Sequence, residues 1–237
     1  MVAMNDPLQI AQAEVTNLIK RHTSPANTLA NAPVRLYHYT DAYGLKGILE
    51  TGILHGTDLR FMNDSGELQY ARNVIQNLMP TALSTCRDSL RPAFEAGGQQ
   101  IGSSVDRGSL QFYAACFCGE RDLLSQWKSY ANGGEGYAIG FDTQKLASIL
   151  DLTRHAGESP RAFNEIDYRV SSQEARVRLI LDETIAFANR LSLEHSGHPN
   201  LPQAIFSLAF GAMATLVSGL ARMKDELFRD EREWRIV

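Results

Sequence analysis

The sequence predicts an α+β fold, and three observations favour that class. Segments rich in aromatic and β-branched residues lie near the start, in the middle and at the end of the chain, at 34–40, 110–118 and 232–237. Segments with apolar residues at helical spacing separate them. The 237 residues are 44% hydrophobic and 21% charged, which is the composition of a globular protein and excludes a disordered chain.

The N-terminal part of the chain is expected to be separate from this fold. Residues 7–20 carry apolar side chains at helical spacing and predict a helix. Residues 22–33 are rich in turn formers and predict a linker. We therefore expect a helical arm with its linker at 1–33 and a single α+β domain at 34–237.

The domain is predicted to begin with the strand at 34–40 and a helix directly after it. Thr40 or Asp41 is expected to cap that helix, and Gly52 to end it. Further on, Asp64 and Glu67 have the spacing of a capping box and predict a second helix. Capping explains both acidic residues without any function.

The remaining elements follow from patterning and turn residues. A helix near 84–95, a glycine- and serine-rich loop after it and a strand at 110–118 are expected. Next come a helix at 122–131, a turn at 132–136, a strand at 137–142, helices at 171–192 and 202–223, and the final strand.

One segment raises the question of a membrane. No Asp, Glu, Lys or Arg occurs from His195 to Ala221, and 204–221 approaches the length of a membrane span. Polar residues and glycines interrupt it, and the chain then continues into a strand expected in the core. We expect a buried or interface helix and no membrane insertion.

Charge and cysteine content limit the partners and the compartment. The formal net charge of -4 gives no general attraction to nucleic acid or anionic lipid, so nucleic acid would need a local basic patch. Three cysteines are an odd number, and no signal peptide opens the chain. A cytoplasmic location is the expectation.

Common catalytic and metal motifs are absent from the sequence. It contains no G-x-x-x-x-G-K-[ST], no G-x-G-x-x-G after a strand, no H-E-x-x-H and no G-x-S-x-G. His195 and His198 have no third ligand close by in the sequence, so we expect no metal.

Five blocks occur in order along the chain: "LYHYT", "GLKGILETGIL", "FMNDSGE", "LLSQWKSYANGGEGYAIGFD" and "DEREWRIV". In this succession the chain resembles a bacterial family catalogued as domain of unknown function 2971. The resemblance covers most of residues 35–237 and leaves out the N-terminal arm.

The first block also resembles the opening of ADP-ribosyltransferase folds, including DarT-type enzymes that modify DNA bases. The middle block is similar to toxin-like members, in which strands and an aromatic-bearing helix enclose nicotinamide. This resemblance implies a split, bent β-sheet with covering helices and NAD as the substrate. It also implies a protein or nucleic-acid acceptor, and a role as a toxin or phage-defence effector with a neutralising partner.

The resemblance also implies site residues. Glu233 or Glu231 would be the catalytic carboxylate, because cleavage of the nicotinamide–ribose bond develops positive charge on the ribose. Trp127 or Tyr130 would stack on the nicotinamide ring. His38 would bind a ribose hydroxyl. The expected cofactor-binding set is His38, Tyr39, Thr40, Asn63, Trp127 and Tyr130.

Other interpretations of the same residues stay open. The chain could be an NAD glycohydrolase, in which water replaces the acceptor, or a noncatalytic binding module that keeps the fold. His38 could then be a strand histidine bonded to backbone, and Glu231 and Glu233 charges on an exposed edge strand. We expect the blocks to converge on one cleft in an enzyme, and His38 to lie far from the two glutamates in a binding module.

Overall fold

The structure is a computed structural model, and it describes residues 6–23, 32–62, 66–107, 111–152 and 163–237. The predicted α+β class is confirmed, because helices accompany a bent, open antiparallel sheet. The helices are α1 (Pro7–Thr23), α2 (Ala42–Thr51), α3 (Glu67–Leu83), α4 (Arg91–Asp106), α5 (Leu124–Tyr130), α6 (Thr143–Leu152), α7 (Val170–Glu194) and α8 (Leu201–Leu220). The strands are β1 (Arg35–Thr40), β2 (Thr57–Asp58), β3 (Tyr113–Cys118), β4 (Tyr137–Asp142), β5 (Phe163–Glu165) and β6 (Glu233–Ile236).

The chain divides into two compact units. The helical unit comprises the described residues within Met1–Thr23, Leu68–Gln111 and Val170–Leu220. The sheet unit comprises those within Ser24–Glu67, Phe112–Arg169 and Ala221–Val237. The domain boundary predicted between residues 33 and 34 stays a prediction.

In the sheet unit the strand order is β4-β1-β3-β6-β5, with β2 paired to β3, and these strands pair antiparallel to one another. β1 pairs with β4 along its whole length. β1 pairs with β3 at one position, where Tyr37 lies opposite Cys118. The two strands therefore diverge beside His38.

Side chains alternate between the two faces of this sheet. One face carries the buried cluster of Leu36, Ala115, Phe117 and Trp234, and we call it the tryptophan face. The other carries Tyr39 and Cys118, against which Ala131 packs, and we call it the tyrosine face. Each face is covered by other residues of the unit, which places candidate site residues in two separate environments.

The capping of α2 follows the sequence. The Asp41 carboxylate accepts a hydrogen bond from the Gly44 amide at 2.8 Å, so Asp41 and not Thr40 is the N-cap. Gly52 ends the helix with φ of 66°, a left-handed conformation in which glycine has no steric cost.

In the helical unit α8 packs against α1, α4 and α7. Its Ala204, Leu208, Ala212 and Leu216 are buried. By length and composition Leu201–Gly219 is the one segment of the described chain apolar enough to cross a membrane, and 56% of it is buried. That burial is the pattern of a core helix.

The prediction of a loop after residue 95 is wrong, because α4 continues to Asp106 through three glycines. Packing explains the difference. A Cβ added at Gly97 would lie 3.2 Å from the backbone of Ala209, so glycine permits close approach of α4 to α8. The sequence pattern also failed to predict α6 and β5.

Two glycines inside α8 test this packing. A Cβ at Gly211 would lie 2.5 Å from Val15 of α1, so Gly211→Ala should lower the free energy of unfolding by roughly 1–3 kcal/mol through overpacking. A Cβ at Gly219 would be no nearer than 4.0 Å to Arg176, so Gly219→Ala should be neutral or stabilise by roughly 0.5–1 kcal/mol. Urea unfolding measures both, and equal midpoints for the two variants would contradict the close α1–α8 contact.

Candidate active site

Five charged side chains meet in the sheet unit, and we call them the charge cluster. Glu67 opens α3, Glu233 and Arg235 lie on β6, and Lys224 and Glu231 come from the segment before β6. Four of the five side chains are at most 5% exposed, and Glu231 is 16% exposed. Glu233 pairs with Cys118 across the sheet, so the cluster belongs to the tyrosine face.

Lys224 joins the three carboxylates of the cluster. Its Nζ lies 2.8 Å from Glu67, 2.6 Å from Glu231 and 3.2 Å from Glu233. It also lies 4.9 Å from the centre of the Phe228 ring, in a cation–π position. The three donors of the ammonium group therefore have one carboxylate each.

Arg235 makes two bidentate pairs. Its Nε and Nη2 donate to the two oxygens of Glu233 at 2.6 and 2.9 Å. Its Nη2 and Nη1 also lie 2.9 and 2.8 Å from the two oxygens of Glu67. Nη1 further donates to the Ala221 carbonyl at 3.4 Å. A guanidinium that is 0% exposed thus finds a partner for each of its donor groups.

Three glutamates and two cations leave one negative charge in excess. A buried ion pair gains its stability only when hydrogen bonds satisfy both partners, and removal of one partner exposes the full desolvation cost of the others. The cluster therefore ties β6, Glu67 and the segment from Lys224 to Glu231 to one another within the sheet unit.

The pKa values of the two carboxylates that flank Arg232 are shifted in opposite directions. Burial raises the pKa of Glu231, and the hydrogen bond and charge of Lys224 only partly oppose it. Burial also acts on Glu233, but the charges of Arg235 and Lys224 outweigh it and hold the pKa of that carboxyl below its usual value. Arg235 accounts for the opposite pKa shifts, because it binds Glu233 and not Glu231.

Backbone geometry brings both glutamates to Lys224. Glu231 does not lie on the terminal strand, as was expected, but ends a 3-10 helix at Glu226–Glu231 that Asp225 caps. Arg232 follows with φ of 48°, in the left-handed region, and is the C-cap of that helix. β6 then starts at Glu233, whose amide donates to the Tyr168 hydroxyl at 3.0 Å.

Aromatic residues of the middle block share this face. Tyr130 is half-buried, and its pKa is raised by burial and by the charge of Glu231. The Trp127 indole N–H donates to Asp122 at 2.7 Å, and its ring packs edge-on against Tyr39 at 4.9 Å. The Tyr39 hydroxyl donates to the Glu120 carbonyl at 3.0 Å. Contacts within the sheet unit therefore hold Trp127 and Tyr39.

His38 and Thr40 lie on the opposite, tryptophan face. The His38 ring packs against Phe117 at 5.9 Å, and its Nδ1 lies 2.8 Å from the Cys116 carbonyl, where β1 and β3 diverge. Both residues line a small cleft of about 300 Å³ with Tyr43, Gly44 and His55. The sheet thus brings Glu231, Glu233, Tyr39, Trp127 and Tyr130 to one face and places His38 and Thr40 on the other. Asn63 and Asp64 lie outside the described residues.

Sequence reasoning missed two members of the cluster. Glu67 was explained by helix capping alone, but its carboxylate is buried between Lys224 and Arg235. Lys224 follows a long apolar segment, and no spacing rule marks a single lysine as buried. Arg235 lies two residues after Glu233, on the same face of a strand, and this spacing is the weak signal in the sequence that a cation adjoins that carboxylate.

Removal of one cation tests the cluster. Lys224→Met should lower the free energy of unfolding by roughly 3–5 kcal/mol, because it leaves three buried carboxylates with one cation. Lys46→Met is the matched control: Lys46 is 70% exposed and pairs with Glu50 at 3.8 Å, so its effect should stay within roughly 0.5 kcal/mol. Equal urea midpoints for both variants would show that the cluster adds no stability.

His38 should make stability depend on pH. Burial lowers the pKa of His38 below 6.5, and its hydrogen bond to Cys116 only partly opposes this. The folded protein therefore favours neutral His38, and the stabilisation is complete above the unfolded pKa and is lost as pH falls through the folded one. Unfolding of the wild type and of His38→Asn, compared from about pH 8 to about pH 5, should show the wild type losing more stability. Parallel curves would contradict this assignment.

Comparison with known proteins gives one family and no named relative. No curated protein and no solved structure matches the chain. A family model matches residues 126–236, the part that contains Trp127, Tyr130, Lys224 and both terminal glutamates. The resemblance expected from the sequence blocks is thereby confirmed over that segment, because residues 126–236 match the model of the family described as Protein of unknown function (DUF2971).

Proposed function

We propose that this protein is an NAD-dependent ADP-ribosyltransferase whose catalytic carboxylate is Glu231. One observation carries the proposal. Glu231 is the cluster carboxylate that reaches solvent, with 16% of its side chain exposed, whereas Glu67 and Glu233 are at most 5% exposed. It also lies close enough to Tyr130 for its charge to raise the pKa of that phenol.

The chemistry needs an ionised carboxylate beside the ribose. The bond between C1′ and the nicotinamide nitrogen breaks, nicotinamide leaves with the bonding electron pair, and positive charge develops on C1′ and the ring oxygen. An acceptor oxygen or nitrogen then bonds to C1′ and loses its proton. Glu231 would stabilise the developing charge electrostatically, as fixed carboxylates do in glycoside cleavage.

Glu233 is better suited to positioning than to contact with substrate. Both of its oxygens accept hydrogen bonds from Arg235, and one also binds Lys224. Lys224 in turn holds Glu231 at 2.6 Å. Glu233 would therefore act through Lys224, by fixing the ammonium group that orients the exposed carboxylate.

Tyr130 is the better candidate for the nicotinamide stack. Trp127 is bound by Asp122 and packed against Tyr39, so its orientation is already determined. Tyr130 lies beside the cluster charges and is half-buried. An aromatic face there would contribute on the order of 0.5–1.5 kcal/mol and fix the plane of the leaving group.

The wider role follows only by analogy with the resembling enzymes. A macromolecular acceptor, protein or nucleic acid, would receive the ADP-ribose, and the protein would act in the cytoplasm as a toxin or phage-defence effector with a neutralising partner. Free Cys86, Cys116 and Cys118 are compatible with a reducing compartment. If water is the acceptor, the same site makes the protein an NAD glycohydrolase, and free ADP-ribose is the product.

The separation of His38 from the glutamates favours a second candidate. His38 and Thr40 line their own cleft on the tryptophan face, away from the charge cluster. A noncatalytic module could bind a ligand in that cleft while the cluster serves stability alone. Saturable NAD binding without nicotinamide release would support this alternative.

Glutamine substitutions and a choice of acceptors distinguish the transferase from the glycohydrolase and from the noncatalytic module. Purified protein is incubated with NAD, nicotinamide is followed by chromatography, and bacterial lysate or nucleic acid is added in turn as acceptor. Glu231→Gln should reduce nicotinamide release by roughly 10²-fold or more, since it removes the stabilising charge. Release by the wild type should also be lost as pH falls, with a midpoint above 4.5, because the pKa of Glu231 is raised and the carboxylate form is required.

Glu226→Gln is the matched control. Glu226 lies in the same 3-10 helix and is 62% exposed, so its substitution should leave nicotinamide release unchanged. Glu233→Gln should lower both release and the urea midpoint, since it disturbs Arg235 and Lys224 as well. Wild-type activity in folded Glu231→Gln would overturn the assignment of the carboxylate, and no release with any acceptor would overturn the transferase.

A further inference from the structure

Two parts of Glu231 are held by other side chains. Lys224 binds its carboxylate at 2.6 Å. Its backbone carbonyl accepts a hydrogen bond from the side-chain amide of Gln126 at 3.3 Å, and another from the Cys118 thiol at 3.3 Å. Gln126 has had no part in the proposed reaction, although it contacts the residue that would carry the catalytic carboxylate.

Gln126 is a buried amide in α5, with 6% of its surface exposed. Burial of an amide destabilises a protein unless a hydrogen bond compensates for the lost water. Leucine and methionine form helices as readily as glutamine, so neither helix formation nor burial requires an amide at this position. Among the described residues, the Glu231 carbonyl is the hydrogen-bond partner of this side chain. The amide is therefore explained by its contact with Glu231.

The Glu231 carbonyl lies at the end of the 3-10 helix Glu226–Glu231. The last carbonyls of a helix have no partner within it, so a donor from elsewhere in the chain can bind them. Here the donor belongs to α5, which fixes the end of the 3-10 helix relative to α5. A backbone contact adds to this, because the Gly119 amide donates to the Arg232 carbonyl at 3.0 Å.

α5 also carries the proposed nicotinamide stack. Gln126 and Tyr130 are four residues apart on this helix, so they lie on the same side of it. Tyr130 packs against the buried residues of the tyrosine face, and the charge of Glu231 acts on its phenol. The hydrogen bond from Gln126 therefore sets the spacing between the Glu231 backbone and the helix that holds Tyr130.

We propose that Gln126 is a positioning residue of the active site, which acts through the Glu231 backbone to hold the catalytic carboxylate at a fixed distance from Tyr130. This inference rests on the proposed function of the charge cluster. Loss of the contact should slow the reaction of bound NAD and leave NAD binding nearly unchanged. The reason is that a displacement of about 1 Å in a catalytic site can lower the rate by roughly 10²-fold.

Gln126→Met tests the proposal, because methionine resembles glutamine in length, suits a helix and donates no hydrogen bond. The kcat for nicotinamide release should fall roughly tenfold, while the KM for NAD stays within about twofold of the wild-type value. Thr143→Val is the matched control for stability. Thr143 is 1% exposed and its hydroxyl donates to the Pro33 carbonyl at 2.6 Å, a buried bond of the same kind that involves no residue of the charge cluster. This control should lower the urea midpoint and leave kcat unchanged.

NMR titration of the Glu231 carboxyl carbon gives a second measurement, which needs no NAD, and Glu231→Gln assigns the signal. In the wild type, burial raises the pKa of Glu231 above 4.5. In Gln126→Met the carboxylate should reach water more readily, so its pKa should fall toward 4.5. Thr143→Val should titrate as the wild type does.

These measurements separate failure of this inference from failure of the transferase. No nicotinamide release by the wild type would overturn the transferase, and the positioning role with it. Release by the wild type, together with an unchanged kcat or an unchanged Glu231 pKa in Gln126→Met, would overturn the role of Gln126 alone. An equal fall of kcat in Thr143→Val would also overturn it, because lost stability would then explain the effect.

Discussion

The pairing of Arg235 with Glu67 and Glu233 is the interaction on which the sheet unit depends. A fully buried guanidinium is tolerated only when every donor is matched, and here two carboxylates and a carbonyl provide that match. The same two carboxylates hold Lys224, which in turn holds Glu231. A catalytic role for Glu231 would therefore rest on a charge network whose first effect is structural.

Strand alternation divides the candidate residues between two environments. Tyr39 and the charge cluster occupy one face, and His38 and Thr40 occupy the other. Adjacent residues of one strand cannot face the same cleft, because successive side chains point to opposite sides. A structural role explains His38 without a ligand, because its ring forms a hydrogen bond with the Cys116 carbonyl where β1 and β3 diverge.

Glycines determine how closely the helices of the helical unit approach one another. Gly97 of α4 and Gly211 of α8 lie where a side chain would meet a neighbouring helix closely, whereas a Cβ at Gly98 would have only the Met213 sulfur within 4 Å, at 3.9 Å. Where two helices approach closely at one position, space remains between them at other positions that no side chain fills. A cleft of about 890 Å³ between α3 and α4 and the close α4–α8 contact both involve this glycine-rich segment of α4.

The sequence by itself determined the α+β class, the strands near 35–40, 113–118 and 137–142, and the end of α2 at Gly52, because local periodicity and turn chemistry encode these features. It also carried the resemblance to the family whose model matches residues 126–236. Tertiary structure alone decided that Glu67 and Lys224 join Glu233, that His38 lies on the opposite face, and that a glycine-rich segment is helical. These outcomes depend on pairing register and on long-range contacts, which local propensity does not contain.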